Sequence, residues 1–229
     1  MIEQLTIGVG QTTSVSAILM QPSHAKACYV FAHGAGAGMT HSYMEAVAAG
    51  LMARDVATLR YQFPYMEKGS KRPDPPAVAQ ATVRAAVDMA ARALPDVPLI
   101  AGGKSFGGRM TSQAQVKQPL AGVQGLAFFG FPLHAAGKPS VERAAHLADV
   151  HIPLLFLQGT RDKLAELDLL KPVIAGLGLR ATLHLVDGAD HSFHVPARSG
   201  RNDDDVMLEV LDAFVAWVPT IAASRPQAL

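Results

Sequence analysis

The sequence predicts an α/β fold: a doubly wound, mostly parallel sheet of seven or eight strands, with an antiparallel hairpin at its N-terminal edge. Two observations favour this fold. Short apolar runs bounded by glycine or proline alternate with segments of helical period, as in sheets that helices cover on both faces. The chain has 229 residues, of which 49% are hydrophobic and 17% charged, enough for one large core. We therefore expect a single domain over residues 1–229.

The predicted strands follow one another along the whole chain. The first two, 5–9 and 14–20, are joined by a polar turn, which indicates a hairpin. The other predicted strands are 27–32, 56–60, 97–102, 123–131, 152–158 and 181–186. Most of these are continuous apolar runs, which are typical of strands in the interior of a parallel sheet.

Segments of helical period separate the strands. The predicted helices are 42–54, 77–94, 106–117, 163–176 and 203–218. The last carries three aspartates in its first turn, where the helix dipole favours anions, and we expect it to close the fold. The stretches 64–76 and 132–150 have no regular period and follow strands, so we predict loops at the sheet edge where ligands bind.

Charge and composition exclude several classes of partner. Twenty basic residues against 19 acidic ones give a formal charge of +1, so we expect neither nucleic acid nor a membrane surface as a partner. No segment approaches the roughly 18 consecutive apolar residues of a membrane span, and no leader pattern precedes the first strand. The one cysteine, Cys28, excludes an intrachain disulfide. We expect a cytoplasmic protein.

The segment 103–107 reads Gly-Lys-Ser-Phe-Gly, between a predicted strand and a predicted helix. This is the pattern and the setting of a nucleophile elbow, in which a strained serine stands on a sharp turn. Gly103 and Gly107 leave room for the strand and the helix to approach each other. Ser105 is therefore the predicted nucleophile; the alternative is a glycine-rich packing turn with an incidental serine.

A serine hydroxyl needs an imidazole to remove its proton and a carboxylate to orient that imidazole. Asp162 and His191 each follow one of the last two predicted strands, in the order serine, acid, histidine. We predict that they complete a triad with Ser105. Asp187 and Asp190 are alternative acids, although Asp190 adjoins His191 and cannot easily reach back to its Nδ1.

Hydrolysis of an acyl bond also requires N–H donors for the developing oxyanion. Phe106 follows the predicted nucleophile at the start of a helix, and its N–H is one candidate. The glycine-rich loop 33–38 follows the strand 27–32 and offers the N–H groups of Gly34 and Ala35. We predict an oxyanion hole formed by these three residues.

Two glycine-rich segments lack a residue that cofactor binding requires. A P-loop ending at Lys104-Ser105 would need glycine where Pro98 stands. A dinucleotide motif in the loop 33–38 would need its third glycine at Met39 or at position 41, and no acidic residue ends the next strand. His191 and His194 form a pair without a third ligand. We expect no cofactor and no metal.

Four motifs of this sequence together resemble those of the α/β-hydrolase superfamily. They are the elbow, His-Gly-Ala-Gly-Ala-Gly at 33–38, Gly-Thr-Arg-Asp at 159–162 and Asp-His-Ser-Phe at 190–193. The stretches 63–67, 72–74, 102–109 and 131–134 are in addition similar to a group that includes the testis-expressed protein 30 and the hydrolase-like domain of a chromatin acetyltransferase-complex subunit.

The resemblance implies an α/β-hydrolase fold with a minimal cap or none, and the same triad. The substrate pocket it implies is lined by Tyr65, Met66, Phe106, Phe131, Leu133 and Phe193. Lys104, beside the nucleophile, either draws an anionic substrate or faces the solvent. The predicted function is a serine hydrolase that cleaves a small-molecule ester or thioester through an acyl-enzyme. The alternative is a non-catalytic or weakly active module that binds a protein partner through the same surface.

Overall fold

The computed structural model describes residues 1–223, which build one sheet of eight strands. The strands are β1 (Ile2–Val9), β2 (Thr13–Met20), β3 (Ala27–Ala32), β4 (Val56–Tyr61), β5 (Leu99–Lys104), β6 (Val123–Phe129), β7 (Leu154–Gly159) and β8 (Ala181–Val186). Their order across the sheet is β1-β2-β4-β3-β5-β6-β7-β8. The pairs β1–β2 and β2–β4 are antiparallel and all others are parallel. The predicted fold class, including the hairpin at one edge, is confirmed.

Residues 1–223 contain six helices, and the longer ones cover the two faces of the sheet. The six are α1 (Ser42–Met52), α2 (Pro64–Glu67), α3 (Pro76–Ala93), α4 (Phe106–Lys117), α5 (Leu167–Gly176) and α6 (Asp203–Ala223), with short 3-10 helices at Glu142–Asp149, Gly178–Arg180 and Ala197–Ser199. Within residues 1–223 no further domain is inserted over the sheet, in agreement with the predicted minimal cap.

Two helical segments lie in stretches that the sequence predicted as loops. The four-residue α2 begins at Pro64, whose fixed φ suits a first helical position, but it is too short to show a period. The 3-10 helix Glu142–Asp149 buries Ala144 and Leu147, three residues apart, which matches its three residues per turn rather than the 3.6 of an α-helix.

Helix α5 begins four residues later than predicted because a polar turn precedes it. The backbone N–H of Leu164 donates to a carboxylate oxygen of Asp162 at 2.8 Å, and the chain becomes helical only at Leu167. The start of α6 is fixed by a reciprocal cap, in which Asn202 and Asp205 each accept the other's backbone N–H.

Alternate residues of the central strands face two separate core layers. In β3, Cys28 and Val30 pack with α3, α4 and α5 on one face, whereas Tyr29 and Phe31 pack with α1 and α6 on the other. Burial on both faces explains the continuous apolar runs of the sequence. The parallel strands therefore end at one common edge, and the loops that leave β3, β5, β7 and β8 meet there.

No helix within residues 1–223 is both long and apolar enough to cross a bilayer.

Candidate active site

Ser105 stands alone between the end of β5 and the start of α4. Its backbone has a positive φ, with φ 50° and ψ −113°, a strained conformation for a residue with a side chain. The turn is tight because β3 passes beside it. A Cβ on Gly103 or on Gly107 would lie 2.5 Å from the carbonyl oxygen of Ala32. The two glycines thus permit the close approach of β3 to the turn, here called the crossing, which holds Ser105 at the edge of the sheet.

Ser105, His191 and Asp162 form one chain of hydrogen bonds. The imidazole Nε2 of His191 lies 2.8 Å from Ser105 Oγ, and its Nδ1 lies 2.6 Å from Asp162 Oδ2. An ionised carboxylate only accepts hydrogen bonds, so the ring proton belongs on Nδ1. The lone pair of Nε2 therefore faces the hydroxyl of Ser105.

Asp162 is buried, and both of its oxygens accept further hydrogen bonds. Oδ1 accepts from the N–H of Leu164 at 2.8 Å, and Oδ2 accepts from Gln158 Nε2 at 2.5 Å. Gln158 is fully buried and its own carbonyl accepts from the N–H of Phe131 at 2.9 Å. Sequence reasoning missed Gln158; the available signal was an amide among the apolar residues of a predicted strand.

The alternative acids have other partners. Asp187 Oδ1 lies 3.3 Å from the hydroxyl of Thr160, and Asp190 Oδ1 accepts the backbone N–H groups of Ser192 and His194. Asp190 therefore shapes the loop that carries the histidine.

The three predicted oxyanion donors lie around Ser105. Phe106 is the first residue of α4, and N–H groups of a first helical turn have no acceptor within the helix. Gly34 and Ala35 line the cavity that contains Ser105. A side chain outside the loop holds it in place, because the backbone N–H of Gly36 donates to the Tyr65 hydroxyl at 2.9 Å.

His33 also anchors this loop. Its Nε2 accepts the backbone N–H of Phe63 at 3.1 Å, so its Nδ1–H donates to the carbonyl of Gly34 at 2.7 Å. Burial lowers the pKa of His33 to about 4, and the ring is neutral near pH 7. The two hydrogen bonds thus tie the loop that offers Gly34 and Ala35 to the chain that follows β4.

The alpha/beta hydrolase domain family matches residues 25–219, which is most of the chain. The chain belongs to this family.

Solved structures share the fold of this alpha/beta hydrolase over nearly its full length. A dienelactone hydrolase from Anabaena variabilis superposes with a TM-score of 0.75 at 19% identity, over 96% of this chain and 97% of that chain. Est1E from Butyrivibrio proteoclasticus, solved with ferulic acid, gives 0.74 at 16% identity, over 96% and 100%. A serine hydrolase without a lid from Xanthomonas campestris gives 0.70 at 17% identity, over 100% and 96%.

The cavity beside Ser105 in this alpha/beta hydrolase has a volume of about 330 Å³. It is lined by Gly34, Ala35, Ala37, His41, Tyr43, Met44, Lys104, Ser105, Leu164, His191 and Ser192. The residues from the start of α1 were missed by sequence reasoning, because nothing in the local pattern indicates that this helix begins over the nucleophile.

None of the six residues predicted to line the pocket is among those that line this cavity. The ring of Phe106 packs against the main core layer instead. Phe131 and Leu133 are fully buried in the core, where Phe131 packs on the rings of Phe128 and Phe156. Their backbone follows β6 near the site, but their side chains turn into the apolar layer, where burial of a large side chain stabilises the fold by about 2 kcal/mol.

The other three predicted pocket residues contact the loops or the core around the site rather than the cavity; they are Tyr65, Met66 and Phe193. Tyr65 bonds to the glycine-rich loop through its hydroxyl, and Met66 packs against the main core layer. Phe193 is buried and its ring stacks on that of Tyr43, with centroids 6.0 Å apart. Tyr65 and Phe193 thus hold the loops that carry Gly34 and His191.

Lys104 is half-buried at the wall of the cavity and is not the solvent-facing residue that the sequence offered as one of two alternatives. Its ammonium is directed into the protein and donates to the backbone carbonyl of His191. Burial lowers the pKa of Lys104 to about 8.

No group of three or more metal-ligating side chains lies close enough to hold an ion among residues 1–223. His194, the second member of the predicted histidine pair, is exposed and pairs with Asp203 at 2.8 Å.

Proposed function

We propose that this protein is a serine hydrolase that cleaves a small carboxylic ester or thioester through an acyl-enzyme. The observation that carries the proposal is the hydrogen-bonded chain from Ser105 through His191 to the buried Asp162. The position of these hydrogen-bonded residues supports the proposal as well, because Ser105 and His191 line a cavity that the backbone of Gly34 and Ala35 borders. Membership of the alpha/beta hydrolase family and a fold shared with a lid-less serine hydrolase support it further.

In the acylation step, Ser105 Oγ attacks the carbonyl carbon of the substrate while His191 Nε2 takes the hydroxyl proton. Asp162 stabilises the imidazolium that forms. The negative charge on the former carbonyl oxygen is met by the N–H of Phe106 and by those of Gly34 and Ala35. The intermediate then collapses, and His191 gives its proton to the departing alcohol or thiol.

In the deacylation step, a water molecule takes the place of the leaving group. His191 removes one proton from the water, whose oxygen attacks the acyl carbon bound to Ser105. When the second intermediate collapses, the same proton returns to Ser105 Oγ. The carboxylic acid leaves and the enzyme regains its starting state.

We also propose that the chain forms a single domain and belongs to the narrower group that contains the testis-expressed protein 30. The stretches 63–67 and 102–109 support this membership. We further propose a cytoplasmic location. The buried thiol of Cys28 supports this location, since disulfides are rare in reducing compartments.

A fluorophosphonate probe tests the proposal directly. We expect the wild-type protein to be phosphonylated at Ser105, with loss of fluoride, and Ser105→Ala to remain unlabelled, because only an activated hydroxyl attacks phosphorus at a useful rate. The adduct is located by peptide mass spectrometry, and hydrolysis of p-nitrophenyl acetate is measured in parallel.

The chain offers a matched control in a second serine–histidine pair. Ser112 Oγ lies 2.8 Å from His146 Nε2, but Ser112 is buried in α4. Ser112→Ala should therefore retain labelling and hydrolysis. A folded wild-type protein that takes up no probe would favour the alternative function, a module that binds a protein partner.

A further inference from the structure

Lys104 reaches the core of the site from the position next to the nucleophile. Its Cγ lies 3.5 Å from the place that a Cβ on Gly34 would occupy, and its Nζ lies 2.9 Å from the place of a Cβ on Gly130. The ring of His191 lies 3.4 Å from that same point beside Gly130. The ammonium and the imidazole are thus close neighbours, and a side chain at position 130 would displace the ammonium and press on the ring.

The ammonium is held by one carbonyl and two aromatic rings. Nζ donates to the backbone oxygen of His191. It also lies 5.9 Å from the ring centroid of Tyr43 and 5.3 Å from that of Phe193, within the range of cation–π attraction. His191 is therefore held twice, with its ring bound to Asp162 and its main chain to Lys104.

We propose that Lys104 is a positioning residue, whose ammonium holds the main chain of His191 so that Nε2 stays within hydrogen-bond reach of Ser105. This role rests on the proposed hydrolase function. A buried ammonium carries a desolvation penalty that an apolar side chain of similar length would avoid. In return it gives the histidine loop a charge-assisted hydrogen bond, about twice as strong as a neutral one.

The proposal implies a specific dependence on pH. Four titratable groups face the ammonium: Tyr43 from α1, Asp162 after β7, and Asp190 and His191 after β8. Burial lowers the pKa of Lys104 to about 8, opposed by the charges of the two aspartates, and burial keeps Tyr43 neutral by raising its pKa.

The sign of the pH dependence follows from these groups. The ammonium is charged below about pH 8 and holds His191 most firmly there. Above that pH the neutral amine still donates, but more weakly. Turnover should therefore fall to a lower plateau rather than to zero.

The experiment compares kcat and KM of wild type, Lys104→Met and Lys104→Arg between pH 6 and 10. We expect kcat of the wild type to fall about threefold to tenfold across pH 8. Lys104→Met should have a kcat about tenfold lower and no alkaline step, because methionine fills the space without a donor. Lys104→Arg should restore turnover without the step, since guanidinium stays charged. KM should stay within about twofold.

An exposed lysine on α5 provides the control, and Lys171→Met should keep the wild-type profile. Two outcomes overturn the positioning role in an active enzyme: a Lys104→Met variant that keeps the alkaline step, or an effect confined to KM. Failure of the hydrolase function is a different result, seen as a wild-type protein that the phosphonate does not label.

A second readout does not depend on turnover. The Cε1–H resonance of His191, assigned by its loss in His191→Gln, should shift near pH 8 in the wild type as Lys104 loses its proton. The same shift should be missing in Lys104→Met, whose melting temperature reports whether it is folded. A resonance that titrates identically in both proteins would falsify the contact.

Discussion

Asp162 is the residue whose surroundings constrain the proposed reaction most closely. It accepts hydrogen bonds from His191, from Leu164 and from the buried amide of Gln158. Three N–H donors compensate the charge of a carboxylate that burial would otherwise destabilise. These hydrogen bonds also hold the carboxylate of Asp162 in one orientation. The ring of His191 is oriented in turn by its bond to this fixed carboxylate.

We predict that Asp162→Asn lowers kcat by about 10²- to 10⁴-fold and leaves the fold intact. The amide is nearly isosteric, but its NH₂ group would face either the backbone N–H of Leu164 or, at the position of Oδ2, both the Nδ1 of His191 and the amide of Gln158. The second orientation keeps the bond to Leu164 and places a donor opposite Nδ1. The tautomer that leaves Nε2 free is then no longer favoured. Steady-state hydrolysis and a thermal melt measure the two effects.

The control for this substitution is Asp187→Asn, since the carboxylate of Asp187 accepts a hydrogen bond from the Thr160 hydroxyl and not from His191. It should keep kcat within about twofold. If Asp187→Asn lost turnover while Asp162→Asn retained it, the acid of the proposed triad would be Asp187.

The turn between β5 and α4 sets the geometry of the site at the level of secondary-structure elements. It brings three pieces of backbone together, because β3 passes directly against both glycines of the turn. The strain at Ser105 persists because this packing leaves no relaxed alternative. The contact of β3 with the two glycines therefore determines both the stability of this turn and the position of the nucleophile.

Gly107→Ala should destabilise the protein by about 3 kcal/mol. The new Cβ would meet backbone oxygens of Ala32 at 2.5 Å and His33 at 2.6 Å, neither of which can rotate away. Urea denaturation measures the change in the free energy of unfolding. Hydrolysis should fall as well, because β3 leads directly into the loop with Gly34.

The comparison is Gly176→Ala at the end of α5, where a Cβ would meet no atom within 4 Å. Alanine has the higher helix propensity, so this substitution should be neutral or stabilise by up to about 1 kcal/mol. Equal destabilisation by both substitutions would show that helix-terminal glycine, rather than the crossing with β3, determines the effect.

The whole molecule places the cavity on an open edge of the sheet. Helices cover both faces of the eight strands, whereas the carboxyl edge beside the cavity carries, within residues 1–223, loops, the short α2 and the starts of α1 and α4. The cavity of about 330 Å³ is at the small end of the usual range for ligand pockets. An acyl chain that outgrows it would extend into solvent.

Among p-nitrophenyl esters, kcat/KM should therefore rise with acyl length only to about four to six carbons and then stay level or fall. Each methylene adds about 0.8 kcal/mol of binding only while it is buried. Rates at substrate concentrations below micelle formation measure the trend. Continued increase up to a dodecanoyl ester would mean that a second surface, outside the cavity, binds the chain.

The placement of secondary structure was largely predictable, because it depends on residues close together in the chain. Apolar runs or alternating patterns located the eight strands of residues 1–223, and helical period located five of the six helices there. The four-residue α2 is too short to give such a signal. The local pattern at 103–107 fixed the turn around Ser105, since the steric requirement for glycine is itself local.

Local sequence patterns were enough to predict the alternation of strands and helices, the tight turn at Ser105 and the order of the serine, the acid and the histidine. Long-range packing was needed to show that Gln158 supports Asp162, that α1 begins over the cavity, and that Lys104 turns inward to His191, 87 residues away in the chain. The direction of a side chain at the end of a strand depends on which distant segment packs against it. Such contacts form only when loops from separate strands meet at one edge of the sheet.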